Sequence, residues 1–136
     1  MIVGSSETSG PKVLVVDDDD NLALLIQQRL EIEGYQVKTA NSAHEGYSAF
    51  VDFGPDLVLT DITMGNENGL DLVKNIRKHN IAVKAIYMTG DFNRYRVEIE
   101  DEQKLYHASL LEKPFKGSEL TELIYKYAHG GRRQAA

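Results

Sequence analysis

With 136 residues, 42% of them hydrophobic and 26% charged, the chain has the make-up of one ordinary globular domain and is too short for two. Having no cysteine, it can build neither a disulfide framework nor a thiolate metal site, and no run approaches the ~20 apolar residues of a membrane-spanning helix. A formal net charge of −6 argues against nucleic acid as a direct ligand, because phosphate backbones call for a basic face.

Residues 1–11 read as a short flexible lead. They carry neither the basic nor the apolar region of a secretory signal, so a cytoplasmic location is expected. The run 12–17 (KVLVVD) is nearly continuous in Val and Leu, the mark of a strand buried on both faces. Residues 21–33 place Leu22, Leu25, Ile26, Leu30 and Ile32 along a helical face, with Asp20 as the expected N-cap and Gly34 as the stop. The run 35–40 (YQVKTA) alternates as an edge strand does. Residues 42–53 open on an Asn-Ser cap signal and close at Gly54-Pro55, which predicts a second helix.

A further buried strand is expected over 56–61 (DLVLTD). Asn66, Glu67 and Asn68 then read as solvent-facing turn residues around Gly69, ahead of a helix over 70–79 with Leu70, Leu72, Val73 and Ile76. The run 82–89 (AVKAIYMT) is again strand-like. Residues 92–107 are expected to form a short helix plus loop, although Val97-Glu98-Ile99-Glu100 alternates like a strand. A short strand over 109–112 (SLLE) follows. A helix over 118–128 is expected to start at an N-cap Ser118 and to carry Leu120, Leu123, Ile124 and Tyr127 at helical spacing. Residues 130–136 read as a flexible tail, which leaves 12–129 as the domain. Five βα units in succession predict an α/β fold, a doubly wound five-stranded parallel sheet with helices on both faces.

In open α/β sheets, ligands bind beyond the carboxyl ends of the strands. Here the first run ends in Asp17-Asp18, the third in Asp61, the fourth in Thr89, and the fifth in Lys113. Carboxylates brought so close repel one another unless a cation intervenes. There is no His or Cys cluster, so the donors are oxygens, which suit Mg2+ or Mn2+ better than Zn2+. A metal bridging carboxylate and phosphate, with Lys113 as a point charge and Thr89 as a hydroxyl donor, provides what phosphoryl transfer requires: positioning and charge neutralisation. Asp19 and Asp20 fit a structural role at a helix start. The four histidines, and Tyr95, Tyr106, Tyr125 and Tyr127, read as surface or packing residues.

The segments VLVVDDDDNL, PDLVLTDITMGNENGLDL, IYMTGD and LLEKPF resemble, in order and spacing, the four signature segments of receiver domains of two-component response regulators. The resemblance spans nearly the whole chain. It implies the flavodoxin-like strand order 2-1-3-4-5. It also implies Asp61 as the phosphoacceptor, Asp18 as a direct Mg2+ ligand, Asp17 as a ligand directly or through water, and the backbone carbonyl of Thr63 as a further ligand. Thr89 becomes the switch hydroxyl and Lys113 the phosphate-binding ammonium, with a cis Lys113–Pro114 bond.

The implied donor is a phosphohistidine on a sensor histidine kinase or phosphotransfer protein, and the implied recipient of the signal is a partner or output domain. Such a protein is a switch that promotes its own phosphorylation and dephosphorylation, not an enzyme acting on other substrates. In the family the phosphoryl lifetime is tuned two residues beyond the acceptor and two beyond the threonine, here Thr63 and Asp91. Two positions depart from the pattern. Gly65 replaces the usual proline, so a less rigid loop is expected. Leu110 stands where the family usually carries Tyr or Phe.

Two other functions compete. A pseudo-receiver binds partners without being phosphorylated, but its usual mark is loss of an acidic, threonine or lysine position, and none is lost here. A nucleotide or flavin site on the same topology needs a Gly-, Ser- or Thr-rich loop to cradle phosphate. The loop after the first strand is instead Asp17-Asp18-Asp19-Asp20.

Overall fold

The computed structural model describes residues 10–135. Five strands, β1 (Lys12–Val16), β2 (Gln36–Ala40), β3 (Leu57–Asp61), β4 (Lys84–Thr89) and β5 (Ala108–Glu112), form one sheet in the order β2-β1-β3-β4-β5. Every neighbouring pair is parallel, and β2 lies at an edge, as its alternation implied. The helices are α1 (Asp20–Ile32), α2 (Ala43–Phe53), α3 (Gly69–Arg77), α4 (Phe92–Leu105) and α5 (Gly117–Ala135). Successive residues of β1 serve opposite faces. Val13 and Val15 pack with Ile26, Leu30, Leu120 and Ile124 of α1 and α5. Leu14 and Val16 pack with Phe50, Val73 and Ile99 of α2, α3 and α4. Both faces are covered, which is why the strands read as continuous apolar runs. Among the described residues no helix is long and apolar enough to cross a membrane.

Several local expectations are corrected. The N-cap of α1 is Asp19, not Asp20: its carboxylate accepts from the Asn21 and Leu22 N–H groups, both at 3.1 Å. The buried face of α1 is Ala23, Ile26 and Leu30. Leu25 and Ile32, expected on that face, are 63% and 85% exposed. Apolar residues at 22, 24, 25 and 26 surround this helix, so its own periodicity cannot select the face that the sheet covers.

The segment after β4 is one helix, α4, with Tyr95 and Ile99 buried one turn apart. Val97, which made the stretch look strand-like, points outward and is 67% exposed. Helix α5 begins at Gly117, and Ser118 is not its cap. The Lys116 N–H donates to the Glu119 carboxylate at 2.7 Å and the Lys116 carbonyl accepts from the Leu120 N–H, half of a capping box. Its backbone stays helical past the expected end at Ala128 to Ala135, since Arg132-Arg133-Gln134-Ala135 are good helix formers. Of the lead expected over 1–11, residues 1–9 lie outside the described residues.

The loop beyond β3 is more organised than expected. Residues Thr63–Met64 and Glu67–Asn68 pair as a two-stranded antiparallel hairpin. Gly65 sits at its tip with φ +59°, the left-handed conformation that a primed hairpin turn takes at its first central position. Proline, held near φ −65°, has no access to it. Glu67 and Asn68 are not free turn residues. Glu67 accepts from the Ala43 N–H at 2.7 Å, and Asn68 caps α3 by accepting from the Leu70 N–H at 2.7 Å. Gly69 must be glycine, because a Cβ there would lie 2.1 Å from the Asp61 carbonyl oxygen. The loop therefore leaves the end of β3 in close backbone contact with it.

Candidate functional site

Parallel pairing aligns the carboxyl ends of β1, β3, β4 and β5 along one edge of the sheet. Asp17 follows β1 and is wholly buried, and Asp61 closes β3 at 7% exposure. Asp18 is exposed. One carboxylate oxygen from each of Asp17, Asp18 and Asp61 lies within 4.8 Å of the others. Lys113, just past β5, donates to Asp17 Oδ2 at 3.0 Å and lies 3.4 Å from Asp61 Oδ1. The turn between β1 and α1 fixes Asp17 further: its Oδ1 accepts from the Asp19 N–H at 2.9 Å. The Lys113–Pro114 bond is cis.

These placements shift the acid–base behaviour of the site. Burial pushes the Asp61 carboxyl up to about 6, with Asp17 and Asp18 adding to the rise and Lys113 opposing it. Burial alone would lower the Lys113 ammonium, but its hydrogen bond and charge contacts with Asp17 and Asp61 outweigh that and raise it. The cluster is thus short of positive charge: one ammonium faces three carboxylates. Hard oxygen donors around a charge deficit fit a divalent cation such as Mg2+ or Mn2+. The residues that could hold it are Asp17, Asp18 and Asp61.

Thr89 closes β4, buried at 3% exposure, and its hydroxyl accepts from the Asp91 N–H at 3.0 Å. Its carbonyl accepts from the Lys113 N–H at 2.8 Å, which ties the fourth strand end to the fifth. Asp91 has a structural duty as well, since it caps α4 by accepting from the Arg94 N–H. Thr63 is exposed, and its hydroxyl makes a 2.7 Å hydrogen bond with the Tyr95 hydroxyl of α4. Of the six site residues read from the sequence, Asp17, Asp18, Asp61 and Lys113 meet directly. Thr89 adjoins them through Lys113, and Thr63 lies two residues beyond Asp61.

Two arrangements had no counterpart in the sequence reading. Tyr95 reads as a packing residue in the sequence, yet its hydroxyl joins α4 to the loop after Asp61. Beneath the groove between α3 and α4, Glu102 accepts from Arg77 Nη1 at 2.5 Å and from the Tyr87 hydroxyl at 2.6 Å. Burial and the Glu102 carboxylate push the Tyr87 phenol far up. Nothing local in the sequence marks either contact, because each joins residues from separate elements.

The family model of the response regulator receiver domain matches residues 13–125. Regulatory protein AtoC of Escherichia coli (strain K12) is 32% identical over 79 residues, covering 58% of this chain and 17% of that protein. The DNA-binding transcriptional regulator NtrC of Azospirillum brasilense is 29% identical over 128 residues, covering 94% and 26%. The chain thus spans well under half of the length of either regulator. Among solved structures, a CheY-like receiver domain protein from Methanospirillum hungatei JF-1 superimposes with a TM-score of 0.81 at 27% identity, over 93% of this chain and 99% of that one. The response regulator TrrA from Thermotoga maritima, solved in complex with Mg(2+)-BeF, superimposes with a TM-score of 0.73 at 32% identity, over 86% and 98%.

Proposed function

The chain belongs to the response-regulator receiver family, and we propose that it is a phosphorylation-dependent switch that accepts a phosphoryl group on Asp61 with the help of Mg2+. The observation that carries this reading is the meeting of Asp17, Asp18 and Asp61 oxygens within 4.8 Å of one another beside the Lys113 ammonium. With its carboxyl at about 6, Asp61 is mostly ionised near neutral pH and has a free oxygen pair for attack on phosphorus. The new bond joins that oxygen to phosphorus as the phosphorus–nitrogen bond of a donor phosphohistidine breaks. The product is an acyl phosphate.

Asp17, Asp18, Asp61 and the backbone carbonyl of Thr63 would hold the metal. Mg2+ would neutralise charge on the phosphoryl oxygens, and Mn2+ could occupy the same oxygen donors. Lys113, within 3.4 Å of Asp61, is placed to move from Asp17 to a phosphoryl oxygen. Thr89 would turn its hydroxyl to another and so report phosphorylation to β4 and α4. Leu110 is packed, partly buried, against the α2–α4 core, so the readout in this chain does not use an aromatic ring at that position. TrrA, 32% identical and solved with Mg(2+)-BeF, supports the metal assignment. The partners are a sensor histidine kinase or phosphotransfer protein upstream and a protein or output domain downstream.

Intact mass after incubation with acetyl phosphate and Mg2+ tests the proposal. The expected result is one added phosphoryl group, lost without Mg2+ and in Asp61→Asn. No gain under conditions that label a known receiver would overturn it and favour a pseudo-receiver.

A further inference from the structure

The loop that carries Thr63 is anchored on two sides. Toward α2, Glu67 accepts from the Ala43 N–H at 2.7 Å. Toward α4, the Thr63 and Tyr95 hydroxyls share a 2.7 Å hydrogen bond, and the neighbouring Met64 is buried in the core that Tyr95 also joins. Tyr95 is a well-fixed partner. It is buried at 7% exposure within the α2–α4 core, one turn from the wholly buried Ile99, and the Arg94 guanidinium lies 5.1 Å from its ring centroid. Thr63, by contrast, is exposed, and its own backbone ladder is a hairpin of only two residues per strand. A hairpin so short is marginal by itself, so a side-chain tether matters to where its residues sit.

From these contacts we infer that Tyr95 is a positioning residue for the acceptor site: by holding the Thr63 hydroxyl it fixes the Thr63 backbone carbonyl, and so tunes metal affinity. The inference rests on the proposed metal role of that carbonyl. Tyr95 itself touches neither the carboxylates nor the reacting atoms. Its action is through Thr63: a hydroxyl held in place restrains the Cα that also bears the carbonyl, and so narrows where the carbonyl can sit. Without the tether the carbonyl must be ordered when the ion binds, and that ordering weakens binding. The same bond links α4 to the acceptor loop, so a change in metal occupancy reaches α4 without passing through Thr89.

The test is a direct Mg2+ titration of the full chain by calorimetry or NMR, with wild type, Tyr95→Phe, Thr63→Val and the double variant. Both substitutions remove a hydroxyl and keep the side chain's bulk, and Thr63→Val keeps the backbone carbonyl. One neutral hydrogen bond corresponds to a weakening of roughly three- to tenfold. The expected result is a loss of that size in each single variant and no further loss in the double variant. Thermal unfolding without metal separates a general loosening of α4 from this local effect. Tyr95→Phe binding Mg2+ as tightly as wild type, or two single losses that simply add, would overturn the inference and leave the metal reading standing. A wild type that binds no Mg2+ would overturn both.

Discussion

Lys113 donates to Asp17 at 3.0 Å across a sequence separation of 96 residues, and Asp17 has no exposure to solvent. The pair therefore joins the end of the first strand to the end of the last while leaving the Lys113 side chain a quarter exposed. Removing one partner of a buried pair strands the other charge. Replacing Lys113 by Met is expected to destabilise the metal-free protein by about 2–4 kcal/mol, below the fully buried limit because Lys113 is partly solvated. Urea unfolding measures this. Saturating Mg2+ should return part of the loss, since a cation again faces Asp17 and Asp61. A Lys113→Met protein as stable as wild type would show that Asp17 finds another partner.

Asp61 gives the site a defined pH dependence. Its folded carboxyl sits at about 6, raised from 3.8. The folded state therefore holds this proton more tightly than the unfolded state does. Its contribution to stability is full below pH 4 and is lost as pH rises to about 6, with no further change above. At pH 7 the ionised, metal-free site carries the whole penalty, and Asp61→Asn removes it. That variant should exceed wild type in stability by about 1–3 kcal/mol at pH 7. The gain should vanish near pH 4 and shrink in Mg2+. Unfolding curves at both pH values, with and without Mg2+, check the sign.

Glu102 satisfies two buried groups at once, Arg77 Nη1 and the Tyr87 hydroxyl. Among the described residues Arg77 Nε and Nη2 have no hydrogen-bond partner, and the Tyr106 ring, its centroid 3.8 Å from the guanidinium carbon, is the compensating surface. Glu102→Ala leaves a nearly buried guanidinium with no carboxylate and is expected to cost about 3–5 kcal/mol. Glu102→Gln keeps an acceptor and should cost less. Phosphorylation by acetyl phosphate should persist in Glu102→Gln, because the network lies away from Asp17, Asp18 and Asp61. A Glu102→Ala protein within 1 kcal/mol of wild type, on the order of ordinary surface changes, would mean that Arg77 escapes to solvent.

Asp91 has a structural duty at the start of α4 and, two residues beyond Thr89, a proposed role in loss of the phosphoryl group. As the N-cap of α4 it accepts from the Arg94 N–H, and its own N–H donates to the Thr89 hydroxyl. Asparagine caps helices about as well as aspartate, whereas alanine loses about 1 kcal/mol. Asp91→Asn should therefore keep stability and change only the rate at which phosphorylated protein loses its phosphoryl group. Asp91→Ala should alter both. Dephosphorylation followed by mass, beside thermal unfolding, distinguishes them. An unchanged rate in Asp91→Asn would remove Asp91 from the hydrolysis step.

The sequence by itself determined the sheet and marked most of the candidate site. Parallel strands covered on both faces must be apolar along their length, so 12–17, 56–61 and 82–89 stood out as runs. The residues that end them, Asp17, Asp61 and Thr89, were then marked by position alone, with Lys113 just past the last strand. Tertiary structure decided what local pattern cannot encode. Leu25 and Ile32 of α1 are as apolar as Ile26 and Leu30, and only the sheet's position leaves the first two in solvent. The Val97–Glu100 alternation yielded to a helix because Tyr95 and Ile99, one turn apart, fill the core under α4. The contacts of Tyr95 with Thr63 and of Glu102 with Arg77 span 32 and 25 residues of sequence. Each depends on two elements meeting at one angle, a property of the packed chain that no single segment carries.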